Sequence, residues 1–108
     1  MSYKVITITS FRQEAKKLIK KYPSLKKELA ALGEQLTHEP TAGTFLGNGC
    51  YKIRIAITSK SRGKSGGARM ITYVHVADAT VFLLSIYDKS NQENISDSQL
   101  KALLKEIA

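Results

Sequence analysis

The sequence predicts an α+β protein: an N-terminal strand and a helical hairpin packed on an antiparallel sheet of about four strands, with a C-terminal helix. Three patterns predict it. Apolar residues recur at helical spacing in two adjacent segments near the start. A clean two-residue alternation runs through Tyr51-Lys52-Ile53-Arg54-Ile55-Ala56-Ile57. A capping-box signature, Ser96 with Gln99, opens a last segment striped by Leu100, Leu103, Leu104 and Ile107.

Residues 3–9 read as a short strand with Tyr3, Val5 and Ile8 as its main apolar members. Ser10 fits an N-cap with Gln13 three residues on. Phe11, Ala15, Leu18, Ile19 and Tyr22 then give an amphipathic helix over 11–21, with Arg12, Lys16, Lys17, Lys20 and Lys21 on its other face. Pro23 and Ser24 break and restart the chain. Leu25, Leu29, Leu32 and Leu36 give a second helix, and so short a connection makes the two an antiparallel pair. The leucine stripe spans under two heptads, which suits intramolecular core rather than a coiled coil.

Residues 39–49, with Pro40, Gly43, Gly47 and Gly49, read as a loop. The alternation over 51–57 predicts a strand with Tyr51, Ile53, Ile55 and Ile57 on the core and Lys52 and Arg54 on the opposite face. Residues 58–68 read as a basic loop, 69–76 and 80–87 as strands. The run Val81-Phe82-Leu83-Leu84 marks a strand buried on both faces. Short connections among the last three strands favour an antiparallel meander, and Ile95 with Leu100 fits a hydrophobic staple at the last helix.

A chain of 108 residues is expected to be one domain, 1–108, able to fold around a single core without metals or disulfides. Hydrophobic residues make up 43% of it, which excludes a disordered composition. The lone cysteine, Cys50, reads as a strand-edge residue and not as a nucleophile. No apolar stretch approaches a membrane span, and the first residues lack a signal peptide's apolar region, so the expected compartment is the cytoplasm, with no membrane partner.

Gly63-Lys64-Ser65 has the ending of a phosphate-binding loop. The glycine required five positions earlier is Thr58, and the segment leads into a strand, not a helix. His38 and His75 are far apart in sequence and have no cysteine or carboxylate cluster, so no metal site is expected. His38 reads as a helix-terminal residue and His75 as a half-buried strand residue on the face of Tyr73.

The charge is more informative. The formal net charge is +8, and no Asp or Glu occurs from Pro40 to Ala77, a stretch that holds Lys52, Arg54, Lys60, Arg62, Lys64 and Arg69. Such sorting points to an anion-binding face, and nucleic acid is the commonest polyanion. Lys52 and Arg54 share one strand face; pairing with the next strand would bring Arg69 and Tyr73 near them, with Lys89 at the rim. The result is a cationic groove floored by a sheet and overhung by Lys60, Arg62 and Lys64, suited to an RNA backbone.

Three segments carry a resemblance: Cys50-Tyr51-Lys52-Ile53-Arg54, Gly63-Lys64-Ser65-Gly66-Gly67-Ala68-Arg69 running into Met70-Ile71-Thr72-Tyr73, and Phe82 through Ser90. Together with the element order they resemble the RelE/ParE toxin superfamily, in its RelE/HigB-like branch of type II toxin–antitoxin systems. The resemblance covers nearly the whole chain. It implies a toxin that enters the ribosomal A site, cleaves the mRNA there through the ribose 2′-OH, and is neutralised by a cognate antitoxin. It implies no cofactor and no metal. Lys52 matches the position that helps activate the 2′-OH, and Arg54 and Arg69 match positions that bind the scissile phosphate. With Lys89 and Tyr73 these form the expected catalytic set; Lys60, Arg62 and Lys64 are the expected RNA-binding residues. Family members often carry a tyrosine near the last helix, where this chain has Ile95, so base stacking would fall to Tyr73 or Tyr87 or be absent. The alternatives are a ParE-like gyrase inhibitor and a catalytically degenerate toxin that serves only as an antitoxin or repressor partner. The retained Lys52, Arg54 and Arg69 favour the nuclease.

Overall fold

The computed structural model describes residues 2–59 and 67–107. The elements are β1 (Lys4–Thr7), α1 (Thr9–Lys21), α2 (Leu25–His38), β2 (Thr44–Gly47), β3 (Cys50–Ile55), β4 (Ala68–His75), β5 (Thr80–Asp88) and α3 (Asp97–Lys105). They form the expected α+β architecture, with three helices and one five-stranded sheet in the order β1-β5-β4-β3-β2.

Two features of the sheet differ from the sequence expectation. First, the sheet is mixed. β3, β4 and β5 form the expected antiparallel meander, but β1 lies parallel to β5, with Lys4 opposite Thr80 and Thr7 opposite Leu83. Parallel neighbours need a long crossover, and most of the chain supplies it here. Second, the segment read as a loop over 39–49 contains β2. Asn48 and Gly49 both take positive φ, 54° and 75°, so an Asn-Gly turn folds β2 back on β3. Phe45 pairs with Tyr51 across it, ring centroids 5.3 Å apart.

The helical hairpin forms where the apolar spacing placed it. α1 buries Phe11 and Ala15, chiefly against β5. α2 buries Leu25 and Leu36 completely. The proposed capping box at Ser10 does not form. The helix starts at Thr9, the N-cap position is Ile8 with no side-chain cap, and Ser10 Oγ donates to the Glu106 carboxylate at the far end of the chain. Arg12 ties the strand–helix joint instead, donating to the Thr7 carbonyl at 2.7 Å, the Thr7 hydroxyl at 2.9 Å and the Thr9 hydroxyl at 3.1 Å. At the other end of α1, the Tyr22 hydroxyl reaches buried Asp88 at 3.1 Å. Glu28 of α2 accepts from the Thr58 amide and hydroxyl, anchoring the chain that leaves β3.

In-register partners across an antiparallel pair point to the same side of the sheet. Ile53, Met70 and Ile86 thus form one buried row, on the side away from Arg54, Arg69 and Tyr87. Between Ser85 and Leu83 the β4–β5 ladder carries a bulge: Ile71 faces Ser85 while the next residue, Thr72, faces Leu83. The extra residue, Leu84, keeps Arg69, Ile71, Tyr73 and His75 of β4 on the same side as Tyr87, Ser85 and Phe82 of β5. The capping box of α3 forms as expected: Ser96 Oγ accepts from the Gln99 amide at 3.1 Å, and the Gln99 side chain accepts from the Ser96 amide at 2.9 Å. α3 then lies over part of this second face, where Lys101, Leu104 and Ile107 line a cavity with Tyr73, His75 and Phe82.

Candidate nucleic-acid interface

The second sheet face has two ends. At one end, β3, β4 and β5 carry the cross-strand row Arg54–Arg69–Tyr87, with Lys52, Ile71 and Ser85 in the next row. The alternation read from the sequence holds there: Ile53 and Ile55 are buried, Arg54 is exposed and Lys52 half-exposed. Arg54 and Arg69 are direct partners in the ladder. Arg69 follows Gly67, where a Cβ would overlap the Ile55 carbonyl, so only glycine lets β4 start this close to β3. Arg69 is 4% exposed and donates to the Ala68 carbonyl at 3.1 Å.

Lys89 stands just beyond this row. Its amide donates to the Gly67 carbonyl at 3.0 Å and extends the β4–β5 ladder by one bond. Lys52 Nζ donates to Asn94 Oδ1 at 3.1 Å, so the segment before α3 borders the same patch. Tyr87 is buried beside Arg69. Burial raises its phenol above the usual tyrosine range and the Arg69 charge opposes that rise; among the described residues its hydroxyl has no hydrogen-bond partner.

Tyr73 is not brought to this row. It lies opposite Cys50, four residues along β4 from Arg69, or roughly 13 Å at strand spacing. There it stacks on Phe82, centroids 6.1 Å apart, and neighbours His75, whose Nδ1 pairs with Asp78 at 2.9 Å. These residues and α3 enclose a cavity of about 520 Å³. Ile95, where the resemblance implied a tyrosine, packs against the core. Lys60, Arg62, Lys64 and the Gly63-Lys64-Ser65 motif lie outside the described residues.

Other chemistry finds little footing. Cys50 is buried, and burial pushes its thiol up to about 11, so it stays protonated at neutral pH and is a poor nucleophile. His38 ends α2 and pairs only loosely with exposed Glu34, at 3.9 Å. Among the described residues no group of three or more His, Cys, Asp or Glu is placed to hold a metal ion, and no helix is long and apolar enough to cross a membrane.

The site is therefore a cationic patch of two cross-strand arginines and a lysine on one sheet face. Sequence reasoning named those three and missed two neighbours. The structure adds Tyr87 to the arginine row and Asn94 to Lys52. Tyr87 was legible only as a candidate for stacking, since its register with Arg69 depends on the bulge. Asn94 carried no signal, because its contact spans 42 positions.

The chain belongs to the RelE toxin family: the family model described as the RelE toxin of the RelE/RelB toxin–antitoxin system matches residues 4–108. Two solved structures share the fold. One, a double arginine-to-alanine mutant of the E. coli toxin RelE in the free state, has a TM-score of 0.66 at 21% identity, covering 100% of both chains. The other, the isolated E. coli RelE toxin, has a TM-score of 0.54 at 23% identity, covering 99% of this chain and 100% of that one. The protein is thus a toxin of a toxin–antitoxin system, a class whose partner is an antitoxin.

Proposed function

We propose that this toxin is an endoribonuclease that cuts mRNA in the ribosomal A site. The observation that carries the reading is the in-register pair Arg54–Arg69 with Lys52 on the same sheet face. Cleavage of RNA through its own 2′-OH needs a proton acceptor, stabilisation of the charged phosphorane and charge or a proton for the departing 5′ oxygen. Lys52 takes the 2′-OH proton as the 2′ oxygen bonds to phosphorus. Arg54 and Arg69 hold the phosphate oxygens as negative charge grows on them. The bond from phosphorus to the 5′ oxygen then breaks as Lys89, at the rim, gives a proton to that leaving oxygen. The products are a 2′,3′-cyclic phosphate and a 5′-hydroxyl end.

The patch offers cations but no paired acid and base of the histidine kind. Much of the rate then comes from holding the message in line, which the ribosome does. Purified toxin is expected to cut a defined message bound to ribosomes and to leave the same RNA nearly intact when naked. Robust cutting of free RNA would contradict this, and so would inhibition of gyrase without any cut in mRNA.

A further inference from the structure

We infer that Asn94 is a positioning residue for Lys52: it fixes the direction of the lysine amine without adding charge to the site. The inference rests on the nuclease reading above. The contact is Lys52 Nζ to Asn94 Oδ1, 3.1 Å, between β3 and the segment that precedes α3. That segment is held on both sides. The Gln92 side chain donates to the Asn94 carbonyl at 3.0 Å, and the capping box at Ser96 fixes the chain two residues later. Gln92 in turn lines a polar cavity with Gln13 and Glu14 of α1, Ser85 of β5 and Gln99 of α3. The carboxamide is thus presented to Lys52 by a segment tied to α3 and lying beside α1 and β5.

The chemistry explains why an amide belongs there. A lysine side chain rotates freely about its last bond, and a proton acceptor must aim its lone pair at one proton. The carbonyl oxygen of Asn94 accepts one N–H whether the amine is charged or neutral, so the remaining positions on nitrogen keep one orientation in both states. A carboxylate in the same place would orient the amine equally well but would hold it as the ammonium, which cannot accept a proton. An apolar residue would do neither.

The test is a double-mutant cycle on ribosome-dependent cleavage, with melting temperature measured on every protein. Asn94 is exposed, so Asn94→Ala should keep the wild-type Tm. Its kcat should fall on the order of tenfold with KM little changed, because a misaimed group costs chemistry rather than binding. In a Lys52→Ala background, Asn94→Ala should have no further effect. Asn94→Asp should cleave at a near-normal rate only at higher pH, its pH–rate profile displaced towards alkali. Additive effects of the two alanine variants, or an unmoved profile for Asn94→Asp, would overturn the inference while wild-type cutting left the nuclease reading intact. Absence of cutting by the wild-type protein would remove the nuclease reading and this inference together.

Discussion

The two ends of one sheet face are built on opposite principles. At one end the strands carry Arg54, Arg69 and Lys52, with Lys89 just beyond, and Arg54 is exposed. At the other end, only a few residues along the same strands, Tyr73 stacks on Phe82 beneath α3. Both ends use in-register neighbours. In the aromatic end those neighbours satisfy each other, so the contact contributes to stability. In the cationic end two like charges, Arg54 and Arg69, are partners across the ladder. The comparison suggests that function and stability are divided along the length of β4.

The division is sharpest for the arginines. Arg54→Ala and Arg69→Ala should each lower ribosome-dependent cleavage on the order of a hundredfold. They should differ in stability. Arg54 is exposed, and its loss should leave Tm unchanged or slightly higher as the like-charge contact disappears. Arg69 is buried, and its loss should lower Tm as well. Arg69→Lys should recover only part of the activity, since a point charge lacks the planar fork. Cleavage per folded molecule at the wild-type rate in a stable Arg69→Ala protein would take this residue out of the mechanism.

At the aromatic end the order of effects reverses. Phe82→Ala should cost about 2 kcal/mol in urea unfolding, below the range for a fully buried phenylalanine because this ring is only half-buried. Cleavage normalised to folded protein should stay at the wild-type level. A large catalytic loss with little loss of stability would place the aromatic cavity in the functional site and erase the division.

Tyr87 lies on the boundary, in the arginine row yet buried, its hydroxyl without a partner among the described residues. Tyr87→Phe removes that hydroxyl and keeps the ring. Stability should be unchanged or rise by about 1 kcal/mol, because no hydrogen bond is lost. Cleavage should stay within about twofold; a clear drop would show that the phenol meets the substrate.

The smallest effect concerns Glu14, which closes the side of β5 that β1 leaves open beyond Leu83. Its carboxylate accepts from the Ser85 hydroxyl at 2.9 Å and from the Ile86 amide. Burial raises its pKa; the Ser85 and Ile86 hydrogen bonds oppose the rise, Glu106 adds to it and Lys17 opposes it. A folded state that holds this proton more tightly than the unfolded chain loses stability as pH rises past the ordinary glutamate value. Glu14→Gln keeps an acceptor and removes the charge. Relative to wild type it should gain about half a kcal/mol between roughly pH 4 and pH 7, a small value because the group is half-exposed. Parallel stability curves for the two proteins across that range would show that its titration does not contribute.

The sequence by itself determined the helical hairpin, the meander of β3 to β5, the α3 capping box and the residues of the cationic patch. Each of these is written in local spacing: 3.6-residue apolar repeats, strict alternation from Tyr51 to Ile57, or a side chain reaching a backbone group three residues away. An Asn-Gly pair also announced the β2–β3 turn, though the surrounding glycines suggested a loop. Only the tertiary structure decided the rest. The parallel union of β1 with β5 joins residues more than seventy positions apart, and no local pattern encodes it. Ser10 had the chemistry of a cap, but the helix starts one residue earlier, at Thr9, so its hydroxyl lies inside the first turn and donates to Glu106 instead. Arg54 and Arg69 could be named from sequence; that they face each other, with Tyr87 beside Arg69 and Tyr73 four residues further along β4, follows from register and from one bulge at Leu84. A single-residue slip in a strand reverses every side chain on it, so the make-up of a sheet-borne site is set by pairing that local sequence does not specify.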